Sequence, residues 1–405
     1  MNQRPPSHKP YPAYYFRMWH GMVASAWLRL LIRNRFAVSP KRLPLALQVS
    51  IYSLINSIFT VLQQIIFARR IALCEITKPP IFIIGHWRTG TTFLHELLAL
   101  DDRFVAPRTL ECFAPGHFLV SGWLLRRLAY FLPAKRPMDE MAVSWDRPQE
   151  DEFALLNSGL DSPYEMLVFP NHRPASTNFL NLTEVTPRQV EQWKAGLINF
   201  LKQVQFRSSR EEGHPTGTRR LVLKSPAHTA RLHILRTLFP EAQFIHLVRD
   251  PCEVFASTVQ LWSALCETQG CQTPRLGPLP NGAPAIEQYV LHTMELLYRD
   301  FFPQLASLPA GNFCEVRYED LTRRPVEELR RIYKRLGLGG FEAFQPRLEA
   351  HLQARGRYEP STRAITEECK TQVSRRWRWY LDRFNYRVTP ATECVAVLGS
   401  TGNGP

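Results

Sequence analysis

Four short apolar runs alternate with longer segments of helical spacing in the central part of the chain. The first run, Ile81–Ile84, is apolar at every position, which is typical of a strand buried on both faces. Strands that alternate with helices build a parallel sheet covered by helices. The pattern therefore predicts an α/β fold with strands at residues 81–84, 221–223, 243–248 and 313–317.

An N-terminal segment precedes the first predicted strand. Residues 19–32 and 43–73 carry helical apolar spacing, Pro40 and Pro44 interrupt the pattern, and Lys78-Pro79-Pro80 ends the segment. We therefore expect an N-terminal helical arm at residues 1–78, a single α/β domain at 79–385 and a disordered tail at 386–405. Within the domain, the polar stretch 207–217 is predicted to be an exposed loop.

The most hydrophobic part of the arm is the segment 51–67. It contains polar residues such as Asn56 and Gln63, and it is shorter than the roughly 20 residues that a bilayer span needs. Three interpretations stay open. We favour a helix packed on the domain. The alternatives are a peripheral membrane contact through residues 43–73 and, in last place, a true membrane span.

Composition and charge narrow the class of protein. The net charge of +14 suits an anionic substrate or surface, and no nucleic-acid-binding motif accompanies it, so we expect no nucleic-acid partner. The eight cysteines are scattered without a C-x-x-C pair, which favours reduced thiols. Residues 1–20 lack the apolar core of a cleavable signal peptide. We therefore expect a cytoplasmic location, with membrane association left open.

A loop with glycine at both ends follows the first predicted strand. Gly85 and Gly90 bracket His-Trp-Arg-Thr, and residues 91–98 then carry helical spacing. Such a loop leaves backbone N–H groups at the helix N-terminus, where they can bind an anion. The spacing matches the phosphate loop of nucleotide triphosphatases, but Thr91-Thr92 stands where that loop has Lys-Ser/Thr. We therefore expect a P-loop-type sheet whose anion site takes its cation from Arg88.

Cationic residues follow three of the four predicted strands. Arg88 lies after the first strand, Lys224 after the second and Arg249 after the third, while Tyr318 and Glu319 follow the fourth. In parallel α/β sheets, ligands bind beyond the carboxyl ends of the strands. We therefore expect these side chains to converge on one anionic ligand.

Two motifs resemble those of sulfotransferases that use 3′-phosphoadenosine 5′-phosphosulfate (PAPS). The run Arg88-Thr89-Gly90-Thr91-Thr92 is similar to the loop of that family for the 5′-phosphosulfate. The strand before Arg249, followed eight residues later by Ser257, is similar to its 3′-phosphate motif. Lys224-Ser225-Pro226 resembles a segment of the bacterial and tyrosylprotein-type members, and Arg317-Tyr-Glu-Asp-Leu supports the match. The likeness covers residues 80–338 and, because order and spacing both agree, is specific.

The resemblance implies metal-independent, in-line transfer of the sulfuryl group of PAPS to a hydroxyl, or in second place an amine, of a small molecule, lipid or glycan. Arg249 and Ser257 would hold the 3′-phosphate, and Tyr318 would contact the adenine. We expect Arg88 and Lys224 to stabilise the charge on the leaving oxygen. The 5′ end would be held by Arg88 and by backbone N–H groups of Thr89, Gly90, Thr91 and Thr92.

The base that takes the proton of the acceptor is left open between two sites. The family uses His or Glu, and Glu111 follows the loop at a distance close to that of the catalytic Glu in tyrosylprotein-type members. We favour Glu111. The alternative is the acid cluster Glu150, Asp151 and Glu152, which could otherwise be a solvated first helical turn. His86 and His95 flank the loop as weaker candidates.

Several alternatives compete with this interpretation. Lys224 could serve only to pair with an acid such as Glu241. A P-loop nucleotide kinase or hydrolase would use the same fold, but the Walker lysine is missing. A non-catalytic membrane module would use only the arm, and its vesicle binding would survive loss of Arg88 and Arg249. No motif identifies the acceptor, whose contacts we expect in residues 101–175 and 267–283.

Overall fold

The computed structural model describes residues 15–128, 144–172, 178–213, 218–279, 285–355 and 365–387. Among these residues, five parallel strands form a sheet with the order β2-β3-β1-β4-β5. The strands are β1 (Ile81–Ile84), β2 (Phe104–Val105), β3 (Arg220–Lys224), β4 (Gln243–Val248) and β5 (Phe313–Arg317). The four predicted strands are confirmed, whereas β2 was not predicted because two residues in an irregular stretch give no periodic signal.

Helices cover the sheet on both faces, which confirms the predicted α/β class. In the described residues they are α1 (Ala24–Arg33), α2 (Leu43–Ala72), α3 (Thr91–Leu98), α4 (Thr109–Phe113), α5 (Phe118–Arg127), α6 (Asp151–Asn157), α7 (Glu165–Val168), α8 (Asn178–Asn181), α9 (Pro187–Glu212), α10 (Leu232–Leu238), α11 (Pro251–Gln269), α12 (Ile286–Leu305), α13 (Tyr318–Arg323), α14 (Pro325–Arg335), α15 (Phe341–Arg355), α16 (Glu367–Arg376) and α17 (Arg378–Phe384).

Helix α9 is longer than predicted. It begins at Pro187 behind a capping box of Thr186 and Gln189, and it runs to Glu212, where Gly213 ends it with a positive φ of 68°. The prediction of an exposed loop at residues 207–217 is therefore wrong for residues 207–212. Arg207 is buried, and it forms an ion pair inside the protein.

The two faces of the sheet bury separate apolar clusters. Phe82 and Ile84 of β1 point into the larger cluster, and the alternate residues Ile81 and Ile83 point into the smaller one. All four side chains are fully buried, as expected for a central parallel strand.

The N-terminal arm contributes to the same core. Trp19, Trp27 and Val49 belong to the cluster that contains Phe82. The division at residue 78 stays a prediction. Of the predicted tail, Tyr386 donates a hydrogen bond from its hydroxyl to Glu319 at 2.9 Å, and residues 388–405 lie outside the described part of the chain.

A buried Asp–His contact and a buried ion pair fix the start of α6 against the segment that follows β3. Asp151 Oδ2 lies 2.7 Å from His228 Nε2, and Glu152 Oε2 lies 2.6 Å from Arg231 Nη1. All four of these side chains are fully buried. A solvated first turn is therefore the wrong description for Asp151 and Glu152. Buried charges of this kind are tolerated only when they are paired and hydrogen-bonded.

We expect Arg231→Met to lower the free energy of unfolding by about 3–5 kcal/mol, because it leaves the Glu152 carboxylate buried without its cation. Urea denaturation measures the change. The matched control is Arg378→Met, which breaks a pair with Asp382 whose side chains are 77% and 65% exposed. This control should change stability by less than about 1 kcal/mol, and equal losses in the two variants would contradict the assigned role of the buried pair.

Candidate active site

The loop between β1 and α3 requires both of its glycines. Gly85 and Gly90 have positive φ angles of 138° and 96°. A Cβ atom at Gly85 would lie 2.6 Å from the carbonyl oxygen of Leu247, and one at Gly90 would lie 2.3 Å from the ring of Tyr318. Arg88 has a φ of 70° without being glycine, a conformation that is uncommon and concentrated at functional sites. The loop therefore holds an unusual backbone shape against β4 and Tyr318.

The N-terminus of α3 faces this loop. Gly90 is the N-cap residue and supplies no side-chain hydrogen bond to the first turn. The Thr89 hydroxyl donates to the His86 carbonyl at 2.7 Å, which fixes the loop from within. Thr89 and Thr91 are buried, and Thr92 is partly buried. A helix N-terminus behind a glycine loop is suited to bind phosphate or sulfate.

The two predicted anion-binding motifs contact each other. The guanidinium Nε of Arg88 donates to the hydroxyl of Ser257 at 2.8 Å. Arg249 Nη1 donates to the backbone carbonyl of Arg88 at 2.9 Å. This contact is possible because β1 and β4 are neighbours, with Ile84 paired to His246, so that the residues after each strand meet at one edge.

Tyr318 forms one wall of the same site. The guanidinium of Arg249 lies 4.3 Å from the centroid of its ring, within the range of a cation–π interaction. The same ring lies against Gly90 of the loop. Glu253 Oε2 lies 3.5 Å from Arg249 Nη2, and the backbone N–H of Arg249 donates to the Tyr380 hydroxyl at 3.2 Å. Arg249 is thus held by contacts from three separate elements.

Lys224 belongs to a second group of polar residues beside the loop. Its Nζ lies 2.5 Å from Glu150 Oε1. The Tyr164 hydroxyl donates to the other oxygen of Glu150, and Trp87 Nε1 donates to the Tyr164 hydroxyl at 2.9 Å. Burial, and then the negative charge of Glu150, raise the pKa of Tyr164 well above its usual value. Tyr164 therefore stays protonated, and an unbroken chain of hydrogen bonds connects the loop residue Trp87 to Glu150. The predicted partner of Lys224, an acid, is present, but it is Glu150 and not Glu241.

Glu111 has its contacts elsewhere. It accepts a hydrogen bond from the Arg108 backbone N–H at 3.0 Å at the start of α4, and its Oε1 lies 2.7 Å from Arg207 Nε. Its side chain is 2% exposed. Burial raises the pKa of Glu111, and the charge of Arg207 offsets part of this rise. These contacts cap a helix and pair two buried charges.

The two histidines beside the loop are fully buried. Burial lowers the pKa of His86 to about 4 and that of His95 to about 3, because the charged form is disfavoured away from water. His95 Nε2 lies 3.1 Å from the Val222 carbonyl, and His86 Nδ1 lies 3.0 Å from the Trp87 carbonyl. Both rings are therefore neutral near pH 7. In the described part of the chain, no group of three or more His, Cys, Asp or Glu residues could hold a metal ion.

The sequence patterns did not identify Tyr164 or Trp87 as site residues. They also left open which carboxylate of the acid cluster faces the site. Tyr164 lies in a loop-rich stretch without a motif, so no local signal pointed to it. The acid cluster was visible, but which of its three carboxylates faces the site depends on where His228 and Arg231 lie. The position of Lys224 at the end of a strand was the one sequence feature that indicated an acidic partner close to it.

Comparison with known proteins identifies the family of the chain. The profile of the Sulfotransferase family matches residues 79–343. The omega-hydroxy-beta-dihydromenaquinone-9 sulfotransferases Stf3 of Mycobacterium bovis and Mycobacterium tuberculosis are each 41% identical over 374 residues, which cover 92% of this chain and 92% of theirs.

Solved structures of mycobacterial sulfotransferases share the fold. STF9 from Mycobacterium avium superimposes with a TM-score of 0.62 and 16% identity, covering 91% of this chain and 98% of its own. STF1 from Mycobacterium tuberculosis H37Rv superimposes with a TM-score of 0.51 and 16% identity, covering 81% and 85%. At these identities the structures establish the fold alone, whereas the family profile and the full-length relatives establish the family. The chain therefore belongs to the sulfotransferase family and is an enzyme that transfers a sulfuryl group.

Proposed function

We propose that this sulfotransferase moves the sulfuryl group of PAPS to a hydroxyl by in-line displacement without a metal ion. The observation that carries the proposal is the contact between the two anion-binding motifs, in which Arg88 donates to Ser257 and Arg249 donates to the Arg88 carbonyl. PAPS has an anionic group at each end of one nucleoside. A donor of this kind needs two cationic sites that are close together and open to the same ligand.

The division of roles follows from this pairing. Arg249 and Ser257 hold the 3′-phosphate, and the Tyr318 ring, which already packs on Arg249, contacts the adenine. Each charge-assisted hydrogen bond contributes roughly 1.5–3 kcal/mol. The 5′ end is held by Arg88 and by the backbone N–H groups of Thr89, Gly90, Thr91 and Thr92.

Glu150 is the base that we propose for the acceptor hydroxyl, in preference to Glu111. Its side chain is 13% exposed, and Lys224 and Tyr164 orient both of its oxygens beside the loop. The proton of the acceptor passes to Glu150 as the oxygen attacks sulfur. Lys224 has three N–H donors, so it can contact Glu150 and the leaving oxygen together. Glu111 stays the alternative, with its carboxylate engaged by Arg207.

We infer the chemical class of the acceptor from the relatives of the chain. The name of the Stf3 proteins gives them a hydroxylated dihydromenaquinone, a lipid-like acceptor, and they align with this chain over nearly its whole length. We infer a lipid-like hydroxyl acceptor here as well, together with peripheral membrane contact through residues 43–73. The described cysteines are all free thiols, and this supports a cytoplasmic location.

Nucleotide binding tests the 3′-phosphate assignment. We expect adenosine 3′,5′-bisphosphate to bind the wild-type enzyme in the presence of EDTA. Arg249→Ala should weaken this binding by about 2 kcal/mol or more, since it removes one partner of a charge pair. Isothermal titration calorimetry measures both affinities. The control Arg378→Ala removes an equal charge from an exposed position and should bind as the wild type does. Equal binding by wild type and Arg249→Ala would refute the assignment.

Turnover distinguishes the two candidate bases. We expect Glu150→Gln to keep its nucleotide affinity and to lose roughly 10²–10⁴-fold in kcat, because the amide cannot accept the proton. Glu111→Gln should lower stability and leave kcat per folded molecule nearly unchanged. Sulfation of an isoprenoid alcohol, followed by mass spectrometry, measures both rates. A collapse of kcat in Glu111→Gln, with normal turnover in Glu150→Gln, would move the base to Glu111.

A further inference from the structure

Helix α2 presents a continuous apolar surface to the outside. We call this surface the outer face of α2. The spacing of its members, three or four residues apart, places them along one side of the helix. Their exposed fractions range from 40% at Leu62 to 78% at Ile65. The members are Leu43, Leu47, Ile51, Leu54, Ile55, Ile58, Val61, Leu62, Ile65 and Ile66.

The opposite side of α2 faces the protein and mixes polar residues with buried apolar ones such as Val49 and Phe67. Ser53, Asn56 and Gln63 are buried, with exposed fractions of 2%, 6% and 3%. Asn56 Nδ2 donates to the carbonyl oxygens of His20 and Met22 at 2.6 and 3.0 Å. Gln63 Nε2 donates to Gln203 Oε1 at 2.8 Å. A helix on a water-facing surface has its apolar side inward. On α2 the exposed side is apolar as well, although the buried side already supplies the contacts with the protein, and this indicates that the outer face meets an apolar medium.

The contacts between α2 and the rest of the protein indicate how the helix is oriented relative to that medium. By length and composition alone, Pro40–Ala72 could cross a membrane. However, α2 packs against α1, α5 and α9, and its buried amides are hydrogen-bonded to the protein. A crossing would draw these neighbouring helices, with their charged residues, into hydrocarbon. An orientation in the plane of the surface leaves the packing intact and buries only the outer face.

Positive charge flanks the outer face at both ends. Lys41 and Arg42 precede α2, Arg69 and Arg70 lie in its last turn, and no Asp or Glu occurs from residue 40 to residue 72. On the adjacent helix α5, Trp123 is 61% exposed, with the Arg127 guanidinium 5.3 Å from its ring. Basic residues beside an apolar helix attract anionic headgroups, and exposed Trp is typical of membrane interfaces.

A second copy of the chain fits this surface less well than a membrane does. A two-fold dimer through α2 places the helices either parallel or antiparallel. Because both ends of α2 are basic, either arrangement sets the cations of one copy against those of the other. An anionic surface neutralises both ends at once. We propose that the outer face of α2 docks the enzyme in the plane of an anionic lipid surface.

The docking deepens the membrane contact proposed above by giving its surface and orientation, and its use in the reaction rests on the proposed lipid-like acceptor. A lipid-like acceptor is concentrated in the surface to which α2 binds. An enzyme docked there meets its acceptor without extracting it into water.

Vesicle co-sedimentation of the full chain tests the proposal. We expect binding to vesicles that contain phosphatidylglycerol and much weaker binding to phosphatidylcholine alone. Ile58→Glu combined with Ile65→Glu should reduce binding by tenfold or more, on the order expected when two carboxylates enter the apolar contact. The control Ala343→Glu with Ala350→Glu adds the same charge at exposed positions of α15, and it should bind nearly as the wild type does.

Other outcomes overturn the proposal. Wild-type protein that stays in the supernatant, or an Ile58→Glu/Ile65→Glu variant that binds as well as its control, would exclude membrane docking through this face. A wild-type dimer in analytical ultracentrifugation that this variant abolishes, without vesicle binding, would assign the face to a second copy. Adenosine 3′,5′-bisphosphate affinity, measured on the same samples, should be equal in all three proteins. Wild-type protein that binds vesicles but does not bind adenosine 3′,5′-bisphosphate would refute the proposed function and not the docking.

Discussion

The adjacency of β1 and β4 is the constraint on which the site depends. In a parallel sheet the carboxyl ends of neighbouring strands open at the same edge, so the residues that follow them share one space. Here the glycine loop follows β1 and Arg249 follows β4, and the Arg249 guanidinium bonds to the loop backbone. The absence of a side chain at Gly90 permits the close approach of Tyr318, whose ring packs on Arg249. The cations are thus held by the backbone geometry of the sheet edge.

A second set of interactions orients the proposed base. The pairs Asp151–His228 and Glu152–Arg231 are buried, and each joins the start of α6 to the segment after β3. Because Glu150 immediately precedes α6 and Lys224 ends β3, the same pairs bring these two residues together. Buried polar and ionic pairs add little net stability, since desolvation opposes the attraction. Their effect here is positional, because they fix which carboxylate reaches Lys224.

Sequence patterns predicted the elements of the sheet better than the details of the site. Runs such as Ile81–Ile84 are long enough and apolar enough to identify strands, whereas β2 has only two residues. The convergence of Arg88 and Arg249 followed from the rule for strand ends. The surroundings of Glu111 could not be predicted, because its partner Arg207 lies in a polar stretch that resembles a loop and proves to be the last turns of α9. Pairings of charged residues across nearly a hundred positions leave no periodic signal in one sequence.

A crystal structure of the enzyme with adenosine 3′,5′-bisphosphate tests the central claim most directly. The account predicts one nucleotide bridging the sheet edge, with its 3′-phosphate on Arg249 and Ser257 and its 5′-phosphate on the N–H groups of residues 89–92. A nucleotide bound elsewhere, or one whose 3′-phosphate lies away from Arg249, would contradict it.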